Sequence, residues 1–149
     1  MEQAELVTSL KVLLANIYQM YFKAHGFHWN VEGSNFAEMH GFFEKIYEDV
    51  FGSADDIAEF IRTLNAYAPF GLYSLTQYAT ISDSDMVVGG TDVRLMVLEL
   101  QASNASVLES LQAVYRLAEM NNEIGLSNFI QDRIHAHRKH QWMLDSYLK

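Results

Sequence analysis

The chain has 149 residues, a formal net charge of −9 and no cysteine. Its length predicts one domain over residues 1–149, and its acidity argues against a nucleic-acid surface, which needs clustered lysine and arginine. The lack of cysteine excludes disulfides, thiolate metal sites and cysteine nucleophiles. The sequence shows no secretion signal and no apolar run long enough for a membrane span, so we expect a soluble, cytoplasmic protein.

Apolar residues at steps of three and four predict long amphipathic helices. The pattern places them at about residues 3–30, 35–66, 91 or 92 to 120, and 123–148. The predicted stripes contain Leu6, Leu10, Leu13, Ile17, Tyr21 and Ala24 in the first helix; Phe36, Phe43, Ile46, Tyr47, Val50, Ile57, Phe60, Ile61 and Leu64 in the second; and Leu126, Ile130, Ile134, His137, Gln141 and Leu144 in the fourth. In the second helix Gly52 is expected to be a weak point rather than a stop. The segment between the second and third helices, which contains the only proline, Pro69, includes "LYSLTQY", a candidate short helix.

The lengths of the connections predict the topology. The first and third are short, so the helices that they join should form antiparallel hairpins. A helix of about 30 residues spans roughly 45 Å, and about 13 extended residues suffice to run back that far. The middle connection over residues 67–91 is longer than that. We therefore expect an all-α, ferritin-like four-helix bundle with one long crossover that carries a short extra helix.

Two pairs of metal-capable side chains stand at helical spacing on the second helix. His40 and Glu44 are four residues apart, as are Asp55 and Glu59, so each pair shares a helix face. The eleven residues from Glu44 to Asp55 turn the helix by three turns with roughly 20° left over, so both pairs lie on the same face. His28 lies at the end of the preceding helix, on the adjacent arm of the hairpin.

One chain cannot bring both pairs to a single ion. Eleven helical residues rise about 16 Å, whereas ligand bonds to a transition metal are about 2 Å long. Three interpretations remain: two separate sites, unrelated surface charges, or a second copy of the chain that supplies the missing half. In the third, two copies of the second helix pack antiparallel about a two-fold axis near Asp49 and Val50. His40 and Glu44 of one copy then face Asp55 and Glu59 of the other.

The shared site would contain two imidazoles and three carboxylates. Nitrogen and oxygen ligands suit iron, and also manganese or zinc; so few nitrogens, together with open positions, suit Fe(II) binding followed by oxidation. Each residue also has a plainer interpretation, since the acids could be solvated helix charges and His40 a buried, hydrogen-bonded histidine. No glutamate is followed three residues later by a histidine, which disfavours a di-iron site inside one bundle.

The stretch "HWNVEGSNFAEMH", followed by "DDIAE", resembles the signature of the Dps miniferritins, the DNA-protection-during-starvation proteins. The ending "HQWMLDSYL" is similar to that family's last helix. The resemblance covers almost the whole chain. It implies twelve subunits in a hollow shell, iron oxidation at two-fold interfaces, hydrogen peroxide as the usual oxidant, and ferric mineral inside.

The resemblance also assigns roles to individual residues. His28 and His40 match the family's ligand histidines, and Glu44 stands where relatives often carry aspartate. Asp55 and Glu59 match the acids that the partner subunit contributes. Trp29 is similar to the tryptophan beside the ferroxidase centre, where it can intercept radicals; plain packing is its other interpretation.

Direct DNA binding is not expected, because the chain shows no lysine-rich tail. The hypotheses that remain are an iron-oxidising and iron-storing enzyme, a DNA-compacting shell protein, and a helical interaction module without metal chemistry. A second histidine cluster, "RIHAHRKH" at residues 133–140, is either a secondary metal site or a solvated or partly packed helix face. The second interpretation is favoured, because no carboxylate lies within the cluster.

Overall fold

The structure, a computed structural model, describes residues 2–83 and 92–149. Over these ranges the chain is helical, without strands, in the order α1 Glu2–Asn30, α2 Phe36–Gly52, α3 Ala54–Thr63, α4 Leu72–Tyr78, α5 Val93–Met120 and α6 Ile124–Leu148. The predicted all-α class is confirmed. None of the described helices is long and apolar enough to cross a membrane.

Side-chain contacts give the directions of α1 and α5. Lys23 Nζ lies 3.0 Å from Glu99 Oε1, and Asn16 Nδ2 lies 2.9 Å from Ser110 Oγ. Residue numbers fall along α1 as they rise along α5. These two helices, which pack against each other, are therefore antiparallel.

The same reasoning orients the second hairpin. Gln101 Nε2 donates to Asp145 Oδ1 at 2.7 Å, and Asn104 Nδ2 donates to the carbonyl of His137 at 2.9 Å. The helices α5 and α6 are thus antiparallel. The helix α2 also runs antiparallel to α1, since Tyr21 contacts Tyr47 and Tyr18 contacts Phe51. The helices α2 and α5 are therefore parallel, which requires the long crossover. The predicted ferritin-like topology is confirmed.

The crossover is fastened to the bundle by a buried amide. Asn16 Nδ2 donates to Thr80 Oγ1 at 2.8 Å, and Asn16 Oδ1 accepts from the backbone N–H groups of Thr80 and Ile81. The predicted short helix appears as α4, over Leu72–Tyr78. Of the two predicted starts of the next long helix, Thr91 lies outside the described residues; Asp92 is the N-cap, and its carboxylate accepts from the N–H of Arg94 at 2.9 Å.

The second predicted helix is interrupted, so its interpretation as one continuous helix was wrong. Ser53 separates α2 from α3. Its N–H and its Oγ both donate to the carbonyl of Val50, at 3.2 and 2.7 Å, and this side-chain competition loosens the helical ladder. The backbone of Ser53 nevertheless keeps helical angles, φ −83° and ψ −16°. The chain therefore passes from α2 into α3 through a single residue, without a reversal.

The helix α3 also ends earlier than predicted, at Thr63 instead of Ala66. Asn65 has φ +63°. Its N–H donates to the carbonyl of Arg62, and the N–H of Ala66 donates to the carbonyl of Ile61. This is a Schellman ending, in which asparagine takes the left-handed position.

The core follows the predicted apolar stripes. The residues of those stripes with no more than 2% exposure are Leu6, Leu10, Leu13, Ile17, Ala24, Phe43, Ile46, Val50, Ile57, Ile61, Leu126, Ile130, His137 and Leu144. Tyr21, on the predicted stripe of α1, is only half-buried. It lies at the edge of the core, on the side of α1 that leads to the site described next.

Candidate metal centre

The histidines His28 and His40 face each other across the α1–α2 hairpin. His28 ends α1, and His40 lies in the second turn of α2. The connection between them turns sharply at Gly33, whose φ of +120° favours glycine. The two imidazole rings stack with centroids 3.7 Å apart and planes 16° apart.

The hydrogen bonds of this pair fix which ring nitrogen is available. His28 Nδ1 donates to the carbonyl of His40 at 2.8 Å, and His40 Nδ1 donates to the carbonyl of His28 at 2.7 Å. A carbonyl oxygen can only accept, so both Nδ1 atoms carry the proton. In each neutral ring, Nε2 then keeps its lone pair. A backbone carbonyl on the far nitrogen is the arrangement that orients histidines as metal ligands.

One carboxylate, that of Glu44, lies near His28. Glu44 Oε1 lies 3.7 Å from His28 Nε2, which is too far for a hydrogen bond. His28 is only 7% exposed, whereas the Glu44 side chain is about half-exposed. The carboxylate therefore reaches from the surface toward the buried imidazole nitrogen.

Asp55 and Glu59 lie in α3, away from this half. Both are exposed, and the helical rise puts Asp55 about 16 Å from Glu44. Asp55 borders a groove of about 480 Å³, lined also by Tyr18, Phe51 and Phe70. Within residues 2–83 and 92–149, no three histidine or acidic side chains of the single chain are grouped to hold an ion.

A cluster of rings flanks the histidine pair. This aromatic cluster consists of Tyr21, His25, Trp29, Tyr47 and Phe51. The His25 ring stacks on Tyr47 with centroids 4.1 Å apart, and it lies at a tilt of 41° against Trp29, also at 4.1 Å. The Tyr21 ring lies 4.7 Å from Phe51. Trp29 is 65% exposed, so its contact with His25 buries only part of the indole.

Burial shifts the titration of two members of the cluster. It lowers the pKa of His25, and the charge of nearby His28 lowers it further. It raises the pKa of Tyr47, and the carboxylates of Glu44 and Glu48 add to that effect. Both shifts favour the uncharged form of the side chain.

The sequence pattern did not single out His25 or Tyr47. A signal was present for His25, because it lies three residues before His28 on the same helix face. For Tyr47 the only signal was its place one turn after Glu44, which is equally typical of a core position.

The second histidine cluster is a structural network. His137 is fully buried and His140 is 7% exposed, while His135 is exposed. Asp49, from α2, accepts a two-pronged hydrogen bond from Arg133 at 3.0 and 2.8 Å and another from His140 at 2.6 Å. The favoured interpretation as a packed face holds for His137 and His140. Its stated reason was incomplete, because the fold brings a carboxylate to the cluster.

Hydrogen bonds assign the tautomer of His137. Arg133 donates to His137 Nε2 at 3.1 Å, and His137 Nδ1 donates to Asn104 Oδ1 at 2.8 Å. Burial, followed by the charge of Arg133, lowers the pKa of His137 to about 3. Burial alone would raise the pKa of Asp49, but hydrogen bonds from His140 and Arg133 outweigh it and hold that pKa well below its usual range.

Comparison with known proteins agrees with this fold. The model of the ferritin-like domain family matches residues 7–149. An uncharacterized protein of Haemophilus influenzae is 30% identical over 97% of this chain and 89% of its own length. The DNA protection during starvation protein of Brevibacillus brevis is 28% identical over 91% of this chain and 89% of its own length.

A solved structure extends the likeness to three dimensions. It is the crystal structure of a Dps protein from Vibrio cholerae, described as a member of a broad superfamily of ferritin-like diiron-carboxylate proteins. The two structures superpose with a TM-score of 0.91 at 30% sequence identity. The match covers 99% of this chain and 91% of the Vibrio cholerae chain. The bundle topology, the matched ferritin-like domain and these relatives lead to one conclusion. The chain belongs to the ferritin-like family and, within it, to the Dps miniferritins.

Proposed function

We propose that this protein is a ferroxidase and iron store, which binds Fe(II) between subunits and oxidises it with hydrogen peroxide or oxygen. The ferric product collects as mineral within a homo-oligomer, for which the family resemblance implies twelve chains. Membership of the ferritin-like, Dps family supports iron storage and protection in general. The observation that carries the specific proposal is the reciprocal hydrogen bonding of His28 and His40, which leaves both Nε2 atoms free to bind metal.

The proposed site uses five side chains. One subunit supplies His28, His40 and Glu44; the partner subunit's Asp55 and the partner subunit's Glu59 complete it. The proposed two-fold axis passes near Asp49 and Val50, which lie midway in the sequence between the pair His40 and Glu44 and the pair Asp55 and Glu59. Two equivalent sites follow from one such axis.

Exposed apolar side chains support pairing of the chain with a copy of itself. Phe22, Trp29, Phe36 and Phe51, on α1 and α2, are 39–65% exposed. A group of large exposed apolar side chains around a half-complete polar site is typical of a protein–protein interface. A second copy placed about the proposed axis covers α1 and α2 and brings the missing acids.

In this reaction the protein residues bind the iron ions and compensate their charge. Two Fe(II) ions give up two electrons, which together with two protons reduce one hydrogen peroxide to two waters. The three carboxylates offset the charge of the ferric products. The imidazoles, held by their carbonyl partners, provide neutral nitrogen ligands that keep their orientation when the ion leaves for the mineral.

Protection of DNA would then come from the removal of Fe(II) and peroxide rather than from direct binding. The formal charge of −9 per chain opposes contact with phosphate. We expect no shift of duplex DNA on a native gel at moderate salt. A salt-sensitive shift would favour the DNA-compacting hypothesis. The cytoplasmic location expected from the composition stays a prediction.

Anaerobic titration with Fe(II), followed by addition of peroxide, tests the proposal. We expect saturable binding at micromolar Fe(II), then rapid oxidation with two Fe(II) consumed per peroxide. The His135→Ala variant, which changes an exposed histidine outside the site, is the matched control and should behave as wild type. No saturable binding would contradict the proposal and favour a helical interaction module without metal chemistry.

A further inference from the structure

The helix break at Ser53 lies between the two halves of the proposed site. Glu44 is the last residue of the first half, on α2, and Asp55 is the first residue of the second half, on α3. Ser53 is only 4% exposed, and within residues 2–83 and 92–149 its hydroxyl bonds only to the carbonyl of Val50. The hydroxyl therefore fastens no second helix to the bundle, and its effect is on the local backbone.

Two donors of Ser53 compete for one acceptor. Its N–H and its Oγ both donate to the carbonyl of Val50, three residues back, at 3.2 and 2.7 Å. In a regular α-helix the N–H would donate to the carbonyl of Asp49, four residues back. A bond that reaches three residues back belongs to a 3₁₀ turn, which advances by about 120° and 2.0 Å per residue instead of about 100° and 1.5 Å.

Other hydroxyls of the chain show which acceptor accompanies a helix end. Ser146 Oγ donates to the carbonyl of Trp142, four residues back, at 2.7 Å, and α6 continues past it. Thr63 and Thr76 donate to carbonyls three residues back, also at 2.7 Å, and both lie in the last turn of their helices. Ser53 has the second pattern, but the chain resumes as a helix at the next residue.

The residue before Ser53 weakens the helix at the same point. Gly52 is exposed, and a Cβ added there would contact nothing within 4 Å outside the neighbouring helix backbone. Alanine would favour a continuous helix, so packing within the chain does not require glycine here. Adjacent glycine and serine residues are a common cause of irregularity in helices.

We propose that Ser53 is a positioning residue, whose hydroxyl sets the angle at which Asp55 and Glu59 are presented to the partner subunit. The inference rests on the proposed ferroxidase function. One 3₁₀ step changes the angle between the two ligand pairs, measured around the helix axis, by about 20°. At the surface of a helix, about 5–6 Å from its axis, a rotation of 20° moves a side chain by roughly 2 Å.

A displacement of this size is large for a metal site. Ligand distances are held to within about 0.2 Å, and a working set of ligands to within about 0.5 Å and 10–20°. Asp55 and Glu59 both follow the break, so removing it would move them together while the histidine half stays in place. Ser53 acts through these two acids and binds no iron itself.

The Ser53→Ala variant tests the inference, because it removes the hydroxyl and leaves the Val50 carbonyl to the helix. We expect anaerobic Fe(II) binding to weaken by about ten-fold, as when a residue that orients a ligand is lost. The oligomer mass should be unchanged. The midpoint of urea denaturation should not fall, because alanine favours the helix. A serine with a purely structural role would give a lower midpoint and unchanged binding.

Two matched variants and a second readout complete the test. Ser53→Thr keeps the hydroxyl and should restore Fe(II) binding, whereas Ser146→Ala removes the same kind of bond from α6 and should bind as wild type. Co(II), bound in place of Fe(II), reports its coordination in its visible spectrum. The spectrum of Ser53→Ala should differ from wild type and resemble that of the double variant Asp55→Ala with Glu59→Ala.

Two results would overturn the positioning role. One is Fe(II) affinity and a Co(II) spectrum in Ser53→Ala that both match wild type. The other is weaker binding in Ser53→Ala that comes with a lower denaturation midpoint and is not restored in Ser53→Thr. Failure of the wild-type protein to bind Fe(II) in the same titration would instead overturn the proposed function, and this inference with it.

Discussion

Two regions of this protein combine two histidines with a carboxylate, and they differ in what the imidazoles are bonded to. At the hairpin, His28 and His40 donate from Nδ1 to backbone carbonyls and keep Nε2 free. A second group, the α2–α6 network, consists of Asp49, Arg133, His137 and His140. In it, Arg133 and His140 already bind the carboxylate of Asp49. The first arrangement can accept a cation, whereas the second contains its own.

The comparison shows that residue types alone do not identify a metal site. The guanidinium of Arg133 supplies a fixed positive charge, so a metal ion there would meet repulsion and lose its carboxylate ligand. At the hairpin no arginine or lysine forms an ion pair with Glu44 in the described residues, and the carboxylate remains available. Hydrogen-bond partners, which come from the fold, separate a binding site from a structural network.

The largest expected effect comes from breaking the hairpin region. The double variants His28→Ala with His40→Ala, and Asp55→Ala with Glu59→Ala, should each lose nearly all Fe(II) oxidation, since each removes one half of every site. When the two kinds of chain assemble together, some interfaces keep one intact site, and activity should partly return. Stopped-flow absorbance of Fe(III) measures this; mixed oligomers verified by mass that show no recovery would argue against shared ligands.

The α2–α6 network should make stability depend on pH. The folded pKa of His137 is about 3, below its unfolded value of about 6.5. Between these values the unfolded chain binds the extra proton, so stability falls as the pH decreases from about 6.5 toward 3. At pH 4 the loss is up to about 3 kcal/mol. Asp49, whose folded pKa is depressed, adds its loss only below about pH 3.9.

Urea denaturation of the metal-free protein between pH 4 and 7 measures this slope. The His137→Gln variant should be less stable at pH 7 and show a flatter slope. His135→Gln, on the exposed face of the same helix, should keep the wild-type slope. A slope that is unchanged in His137→Gln would mean that another group carries the pH dependence.

Removing the positive charge of Arg133 from the α2–α6 network tests the comparison further. Arg133→Met leaves Asp49 with His140 as its remaining partner in the described network. Removing one partner of a buried ion pair lowers the free energy of unfolding by several kcal/mol, whereas removing one partner of a surface ion pair lowers it by less than about 1 kcal/mol. Because Asp49 is partly exposed, we expect a loss of about 1–2 kcal/mol. Lys139→Met, on the exposed side of α6, is the control. Fe(II) binding should be unchanged in both, and a loss of binding in Arg133→Met would link the two regions.

The smallest effect concerns the carboxylate of the hairpin site. Glu44→Gln keeps the shape but removes the charge, and should weaken Fe(II) binding by about ten-fold, or 1.4 kcal/mol. Glu44→Asp keeps the charge on a shorter side chain and should bind more tightly than Glu44→Gln. Calorimetric titration under nitrogen separates the two. Equal affinities for wild type and Glu44→Gln would exclude Glu44 as a ligand.

Periodicity and loop length predicted the helices, their topology and the short helix in the crossover, because these depend on local patterns. The break at Ser53 was missed, since it comes from a serine side chain that competes for the carbonyl of Val50. The pairing of Asp49 with Arg133 was missed as well, because the two residues are 84 positions apart and no local pattern carries that information.

The candidate site was predictable as two halves and no further. Helical spacing paired His40 with Glu44 and Asp55 with Glu59. The hairpin between the first two helices placed His28 near His40 and Glu44. The stacking of the imidazoles and the protonation of their Nδ1 atoms depend on backbone carbonyls, which the sequence does not position. The proposal assigns the completing half to a second chain, and that assignment stays a prediction.

Diffraction from crystals soaked anaerobically with Fe(II), with anomalous data collected at the iron edge, tests the central claim most directly. We predict iron between subunits, bound by His28, His40 and Glu44 of one chain together with the partner subunit's Asp55 and the partner subunit's Glu59. An ion bound by the side chains of one chain alone, or an unoccupied hairpin site with iron elsewhere, would contradict it.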